Sequence, residues 1–251
     1  MHIRVITPVI PTGLTGPSDF EGILSAGETL DYIEIETGPA SIECALDETI
    51  AAPAVVAAII DAEAEGVDAV VIDCMEDPGL RAARECVRIP VLGPCETSMN
   101  LACTLGHRFS MLAVTQNMRV GFENHARIYG AWDKYASTRS VEVPVLELGG
   151  DSDHLDAALF DASRRAIEED DADTLVIGCT GMVGVAERLG AALAQAGLDV
   201  PVIDPIPVTV RLATVLAASG LTHSKRAYPT PGRKEMRGYD ATSLTKFSKT
   251  P

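Results

Sequence analysis

Two stretches of the chain read almost alike: VDAVVIDC at residues 67–74 and ADTLVIGC at residues 172–179. Each is a short apolar run that ends in cysteine, and 105 residues separate the two. A second pair follows, with IPVLGPCETSMNLA at residues 89–102 and VPVIDPIPVTVRLA at residues 200–213, at an offset of 111. Self-similarity of this kind indicates a repeated structural unit. We therefore interpret the chain as two copies of one unit.

Two weaker matches extend the repeat. Residues 4–7 (RVIT) resemble residues 112–115 (LAVT), and residues 33–38 (IEIETG) resemble residues 145–150 (VLELGG). Each half then carries four β-like runs, with helix-like stretches between them. Strands that alternate with helices predict parallel sheets with right-handed crossovers. We predict an α/β fold of two similar, pseudo-symmetric domains, each a four-stranded parallel sheet flanked by helices, with the active site at the domain interface.

The domain limits follow from the repeat. The first domain is predicted at residues 1–97 plus 208–220, because the helix after the last strand of the second half is expected to pack back onto the first. The second domain is predicted at residues 98–207. Residues 221–251 form a separate tail with seven basic and two acidic residues, which leaves a charge of −21 on the rest. This basic tail is expected to be flexible or to dock on an acidic surface of its own or a neighbouring subunit.

Composition excludes several classes of protein. The chain has 251 residues, of which 47% are hydrophobic, so it can bury a sizeable core. A net charge of −16 argues against nucleic-acid binding and against anionic membrane surfaces. No apolar run reaches 18 residues, and the first residues read as a strand rather than as a signal peptide. We expect a cytoplasmic homo-oligomer that acts on a small molecule, without a nucleic-acid or membrane partner.

The cysteine and histidine spacings give no metal motif. The six cysteines show neither a C-x-x-C pair nor zinc-finger spacing, and the five histidines form no metal-binding pattern. Without an export signal, cysteines are expected to remain free thiols. We predict no metal and no cofactor. A structural role is expected for four of the cysteines: Cys44, Cys86, Cys95 and Cys103.

Cys74 and Cys179 differ from the others because each ends a strand at an equivalent position of the repeat. Ligands of open parallel sheets bind outside the carboxyl ends of the strands, where backbone amides and helix dipoles favour negative charge. A thiol placed there is expected to have a lowered pKa. Two such thiols facing each other can perform acid–base catalysis, one removing a proton from carbon and the other returning one to the opposite face. This chemistry inverts a stereocentre without a cofactor.

The residues around both cysteines resemble a known family. CMEDPGL at residues 74–80 and GCTGM at residues 178–182 are similar to the two cysteine motifs of the hydantoin racemase branch of the aspartate/glutamate racemase superfamily. GPASIE at residues 38–43 and VIDP at residues 202–205 add to the resemblance, which covers roughly residues 1–220. It implies cofactor-independent, two-thiol racemisation of a 5-substituted hydantoin or a related cyclic ureide such as allantoin, or of an amino-acid derivative.

Two positions depart from the family pattern. The turn after the first strand reads TPVIP at residues 7–11, where the family usually has an Asn-Pro-Asn-type turn. Glu76 stands two residues after Cys74, where the family tends to have a small residue. Besides the catalytic pair Cys74 and Cys179, the residues predicted to contact substrate are Thr7, Pro8, Met75, Glu96, Thr115, Gln116, Thr180 and Gly181.

Three other functions stay open on the same evidence. One is an aspartate/glutamate-type amino-acid racemase, and another is an enzyme like maleate isomerase or arylmalonate decarboxylase. The apolar first turn and the DPGL motif argue against the dicarboxylate substrates of maleate isomerase and arylmalonate decarboxylase. The third is a non-enzymatic two-domain protein that binds a small molecule, against which the paired thiols count.

Overall fold

The computed structural model describes residues 1–150, 152–238 and 243–247. The first half of the chain contains β1 (His2–Thr7), β2 (Thr29–Glu34), α1 (Ala45–Ala64), β3 (Ala69–Ile72), α2 (Leu80–Cys86), β4 (Val91–Leu92) and α3 (Pro94–Leu105). The second contains β5 (Phe109–Ala113), α4 (Arg119–Ile128), β6 (Tyr135–Ser140), α5 (Ser152–Asp170), β7 (Thr174–Ile177), α6 (Val185–Gln195), β8 (Val202–Ile203) and α7 (Pro205–Ala218). Short 3-10 turns occur at Pro17–Phe20, Gln116–Met118, Trp132–Lys134, Val145–Glu147 and Ser243–Phe247.

The predicted pair of four-stranded parallel sheets is confirmed. The strand orders are β2-β1-β3-β4 and β6-β5-β7-β8, which are the same order in the two halves. The last residue of β3 pairs with Ile6, and the last residue of β7 pairs with Leu112. Cys74 and Cys179 each lie two residues beyond these pairs. The two cysteines are therefore equivalent in register as well as in sequence.

One predicted strand is wrong. Residues 145–150 do not form the strand that matches residues 33–38, and Val145–Glu147 is a 3-10 turn instead. The equivalent strand is β6, in which Arg139 pairs with Leu112 as Ile33 pairs with Ile6. Strand β6 lies at the edge of its sheet and reads YASTRS, with one buried residue. An edge strand half open to water needs no continuous apolar run, so the apolar stretch nearby gave a false match.

Helix α7 packs against the first sheet. Val210 and Ala213 are fully buried together with Ile3, Val5 and Val71 of strands β1 and β3. Pro205 stands at the start of the helix, where its missing N–H leaves no hydrogen bond unmade. The proposed domain limits at residues 97/98 and 207/208 fall inside α3 and α7 and remain predictions.

The first part of the basic tail lies along α2 and β4. The imidazole of His223 accepts the amide of Val91 at 2.9 Å, and Lys225 Nζ donates to the carbonyls of Arg84 and Glu85 at 2.8 and 3.0 Å. Most of the described tail contacts thus use main-chain carbonyls and an imidazole rather than acidic side chains. No helix in the described ranges is both long and apolar enough to cross a membrane.

The packing of α7 predicts the effect of one core substitution. Val210→Ala removes two methyl groups from a site with no exposed surface, so it should destabilise the protein by about 2 kcal/mol and lower Tm by about 4–8 °C. Val120→Ala on α4, where the side chain is 57% exposed, is the matched control and should leave Tm within about 1 °C. Thermal denaturation by circular dichroism measures both. Equal shifts for the two variants would contradict the packing described.

Candidate active site

A cavity of about 150 Å³ opens between the two sheets at the carboxyl ends of their central strands. Thr7 is the last residue of β1, Asp73 and Cys74 follow β3, and Gly178 and Cys179 follow β7. The volume suits a small molecule. This is the place at which the register of parallel strands predicts a ligand site.

Both predicted cysteines stand on the cavity wall, and backbone amides point at their sulfur atoms. The amide of Glu76 donates to Cys74 Sγ at 3.4 Å. The amides of Gly181 and Met182 donate to Cys179 Sγ. Each sulfur is thus held by the turn that follows it. Hydrogen bonds of this kind stabilise the thiolate more than the thiol.

The expected lowering of the thiol pKa values is wrong. Burial raises the pKa of Cys74 well above its usual value, and the charges of Glu76 and Asp77 act in the same direction. Burial likewise raises the pKa of Cys179 to about 12, to which Asp73 and Glu43 add. Loss of hydration outweighs the amide hydrogen bonds in both cases. Both thiols are therefore protonated at neutral pH, and a thiolate formed here is a strong base.

Five of the predicted substrate contacts lie on the cavity wall: Thr7, Pro8, Met75, Thr180 and Gly181. The two threonines are engaged with Asp73. Thr7 Oγ1 donates to Asp73 Oδ2 at 2.9 Å, and Thr180 Oγ1 donates to the Asp73 carbonyl at 3.2 Å. These hydrogen bonds tie the loop after β7 to the end of β3, and so they join the two halves of the site.

The structure does not bring the other three predicted contacts to the cavity wall. Glu96 lies on α3, where its carboxylate pairs with Arg84. Gln116 Oε1 accepts a hydrogen bond from the Ser140 hydroxyl at 3.0 Å. Thr115 lies two residues beyond the position equivalent to Thr7, because the register of β5 makes Ala113 the equivalent residue. A substrate contact by these three residues remains a prediction without support from their position.

Asp73 is the main site residue that sequence reasoning missed. It is 7% exposed, and burial raises its pKa to about 6, although the two threonine hydrogen bonds oppose this shift. A signal was present, since an aspartate directly before the cysteine ends an otherwise apolar strand and the repeat has Gly178 in its place. Other wall residues come from the segments that follow β1, β2, β5 and β6: Val9, Thr12, Leu14, Thr15, Ala40, Ile42, Met118, Val145, Leu148 and Gly149.

The site offers thiols, hydroxyls and one carboxyl group rather than a metal centre. Within residues 1–150, 152–238 and 243–247, no group of three or more His, Cys, Asp or Glu side chains could hold a metal ion. The chemistry available from these groups is proton transfer. Thiols on walls contributed by opposite sheets can approach one carbon atom from two sides.

Comparisons with known proteins identify relatives of the chain. The family described as Asp/Glu/Hydantoin racemase matches residues 20–213. A hydantoin racemase of Rhizobium meliloti is 34% identical over 95% of this chain and 98% of its own length. The structure of an allantoin racemase from Klebsiella pneumoniae covers 100% of both chains with a TM-score of 0.88 and 30% identity. A variant of arylmalonate decarboxylase, 17% identical, covers 87% of this chain and 93% of its own with a TM-score of 0.62, which shows a shared fold alone. The chain belongs to the Asp/Glu/Hydantoin racemase family.

Proposed function

We propose that this chain is a cofactor-independent racemase of cyclic ureides, with Cys74 and Cys179 as the paired acid and base. The observation that carries the proposal is the placement of two thiols at register-equivalent strand ends on one small cavity. Relatives named hydantoin racemase and allantoin racemase support the substrate class, because both names refer to cyclic ureides with one stereocentre.

The reaction follows from the two sulfur atoms. A thiolate removes the proton from the ring carbon that carries the substituent, and the electron pair passes into the adjacent ring carbonyl as an enolate. The thiol on the opposite side then donates its proton to the other face of that carbon. The pair ends with its protonation reversed, so atoms and charge balance without a cofactor. The opposite enantiomer uses the same steps with the two cysteines exchanged.

The high thiol pKa values fit this task. The proton on the ring carbon of a cyclic ureide is only weakly acidic, so its removal needs a base that is stronger than an ordinary thiolate. Burial makes each thiolate a stronger base, because a thiolate that has lost its hydration is destabilised relative to the thiol. The backbone amides after Cys74 and Cys179 keep the charged form accessible.

The cavity wall favours an apolar ring substituent. Val9, Ile42 and Leu148 contribute apolar side chains to the wall, and Leu14 stands beside Gly149. The ureido group of allantoin carries several donors and acceptors, and burying them against the part of the wall formed by Val9, Ile42 and Leu148 would leave hydrogen bonds unmade. We therefore propose that 5-alkyl or 5-arylalkyl hydantoins are better substrates than allantoin.

The same wall disfavours the alternative enzymes. Aspartate/glutamate-type racemisation, maleate isomerisation and arylmalonate decarboxylation all require carboxylate substrates. Among the described residues that form the wall, none is arginine or lysine, and Asp73 is an acid. A dicarboxylate would enter without a cationic partner, which is costly in a buried site. A protein that only binds its ligand has no need for two facing thiols.

Compartment and assembly complete the proposal. Cys44, Cys74, Cys95, Cys103 and Cys179 are free thiols in the structure, which supports a reducing compartment such as the cytoplasm. Leu212, Val215 and Leu221 are more than a third exposed around the end of α7 and form a surface suited to a second copy of the chain. The net charge of −16 supports a protein without a nucleic-acid partner.

Serine replacements test the paired thiols. Cys74→Ser and Cys179→Ser should each lower the racemisation rate by at least about a thousandfold, because a hydroxyl is a far weaker acid than a thiol. Each variant should still exchange the ring proton of one enantiomer for deuterium, since one thiol remains. NMR in heavy water measures the exchange, and polarimetry measures the racemisation. Cys103→Ser, a half-exposed position on α3, is the control. Full racemisation by either active-site variant would overturn the proposal.

The raised thiol pKa values predict the pH dependence. A thiolate fraction that is small at pH 7 grows as pH rises toward the thiol pKa, so kcat/KM should rise about tenfold per pH unit from pH 7 to 9. It should fall by the same factor as the solution is acidified. Initial rates, corrected for the separately measured ionisation of the substrate imide, give the profile. A plateau that begins below pH 7 would mean that the thiols ionise easily and would contradict the structure.

Substituent preference tests the apolar wall. The three additional carbon atoms of 5-isobutylhydantoin over 5-methylhydantoin should raise kcat/KM by about tenfold or more. Leu148→Ser should remove most of that difference. Leu146→Ser is the matched control, because Leu146 lies two residues away, is 51% exposed and does not contribute to the wall. Initial rates by polarimetry on both hydantoins and on allantoin decide the matter. Faster turnover of allantoin than of the isobutyl compound would contradict the preference.

A further inference from the structure

The two halves of the site differ at one position in a way that bears on the thiols. Glu76 stands two residues after Cys74, and Gly181 stands two residues after Cys179. The amide of each donates to the sulfur of the preceding cysteine. The repeat thus places equivalent backbone at both sulfurs, but the turn after Cys74 carries a carboxyl side chain at this position and the turn after Cys179 carries none. The proposed reaction makes no use of this carboxyl group.

The Glu76 side chain is buried behind Cys74, away from the cavity. It is 5% exposed and is not part of the cavity wall. Its Oε2 atom lies 3.7 Å from Nδ1 of His125 on α4. Helix α4 comes this close because residue 121 is glycine, since a Cβ atom there would lie 2.8 Å from the same oxygen. The carboxyl group is therefore held in place from one side by a helix.

The surroundings leave one proton on the pair of Glu76 and His125 at neutral pH. Burial raises the pKa of Glu76 to about 8, and the charges of Glu48 and Asp77 add to the shift. Burial lowers the pKa of His125 to about 4. The proton thus resides on the carboxyl group, and the pair is neutral between about pH 4 and pH 8. Above that pH the pair gains one negative charge.

Asp77 is the other acid beside Cys74, and it ionises about one pH unit below Glu76. Burial raises the pKa of Asp77 to about 7, although the Tyr129 hydroxyl at 2.8 Å and the amides of Cys95 and Glu96 at 3.1 and 2.9 Å donate to its carboxylate and oppose this shift. Its charge is common to the unchanged protein and to variants at residue 76. Cys95 lies behind His125, with its sulfur 3.8 Å from Nδ1, and burial keeps it a thiol by raising its pKa. The charge of Glu48 on α1 raises the pKa of Glu76, and it is not among the main influences on the pKa of Cys74. Across the cavity, Cys179 is the thiol partner.

We propose that Glu76 breaks the symmetry of the thiol pair: its carboxylate suppresses the thiolate of Cys74 and so biases the pair toward Cys179 as the base. Glu76 is a positioning residue in this role, because it acts through Cys74 and does not touch the cavity. The inference rests on the proposed function for its catalytic meaning. The bias strengthens as pH rises through the ionisation of Glu76, and it disappears when Glu76 is protonated.

Thiol alkylation as a function of pH tests the inference without substrate. The protein is treated with iodoacetamide between pH 6.5 and 9.5 and digested with a protease that cuts after glutamate. Mass spectrometry then gives the rates for Cys74 and Cys179 separately, since the two lie on different peptides. Glu76→Gln should leave the Cys74 rate unchanged at pH 6.5, where the carboxyl group is neutral. At pH 9.5 it should raise that rate about tenfold, because a nearby negative charge has been removed.

Two further variants sharpen the test. Glu76→Asp keeps an ionisable group and should retain a Cys74 rate close to that of the unchanged protein at pH 9.5. Glu43→Gln is the reciprocal control, because the Glu43 charge acts on Cys179. It should speed alkylation of Cys179 and leave Cys74 unchanged.

A Cys74 rate that rises by the same factor at every pH in Glu76→Gln would overturn the inference, because it would indicate looser packing. An unchanged rate at pH 9.5 would overturn it as well. The two proposals fail separately. Full racemisation by the Cys74→Ser variant would contradict the proposed function, whereas the alkylation rates report only how the thiols ionise.

Discussion

The parallel register of the central strands is the constraint on which the site depends. In each sheet the two central strands pair so that the chain emerges at one edge, and a cysteine follows two residues later. Because the two sheets share their strand order, the same geometry occurs twice, and the two edges meet at one cavity. Thr180 then links the second edge to the first through the Asp73 carbonyl. Two thiols on opposite walls are therefore a consequence of the duplicated fold and need no special loop to bring them together.

Loss of water at this cavity sets its chemistry. A buried thiolate is unfavourable, and the carboxyl groups of Asp73, Glu76 and Asp77 make it more so. Backbone amides offset part of that effect at each sulfur. As a result, the thiolate is a minor species at neutral pH but a strong base when it forms, which suits removal of a proton from carbon. A lowered thiol pKa would give more thiolate, but each thiolate would be a weaker base.

Much of this organisation could be predicted from the sequence, and the failures have physical causes. The buried central strands were found because both their faces are covered and their residues are continuously apolar. Strand β6 is not predicted because an edge strand tolerates polar residues. Thr115 is aligned with Thr7 incorrectly because a match of four residues does not define which strand residues are equivalent. The sign of the thiol pKa shift could not be predicted, since the position of a strand end reveals nearby amides but not how much water remains. Asp73 could have been identified, because it is an acidic residue at the end of an apolar run. Its equivalent in the second half is Gly178, so a search for matching residues in the two halves does not find it.

Exact symmetry is not required of an enzyme that interconverts mirror images. The two enantiomers have the same free energy in solution, so kcat/KM must be equal in both directions whatever the protein does. That equality constrains the overall kcat/KM in each direction. It does not fix which of the two thiols ionises more easily in the free enzyme. A duplicated site can therefore accept a buried acid on one side, as Glu76 stands where the other half has Gly181. Reaction requires one thiolate and one thiol at the same time, and either cysteine can be the one that ionises. Asymmetry beside Cys74 is thus compatible with racemisation.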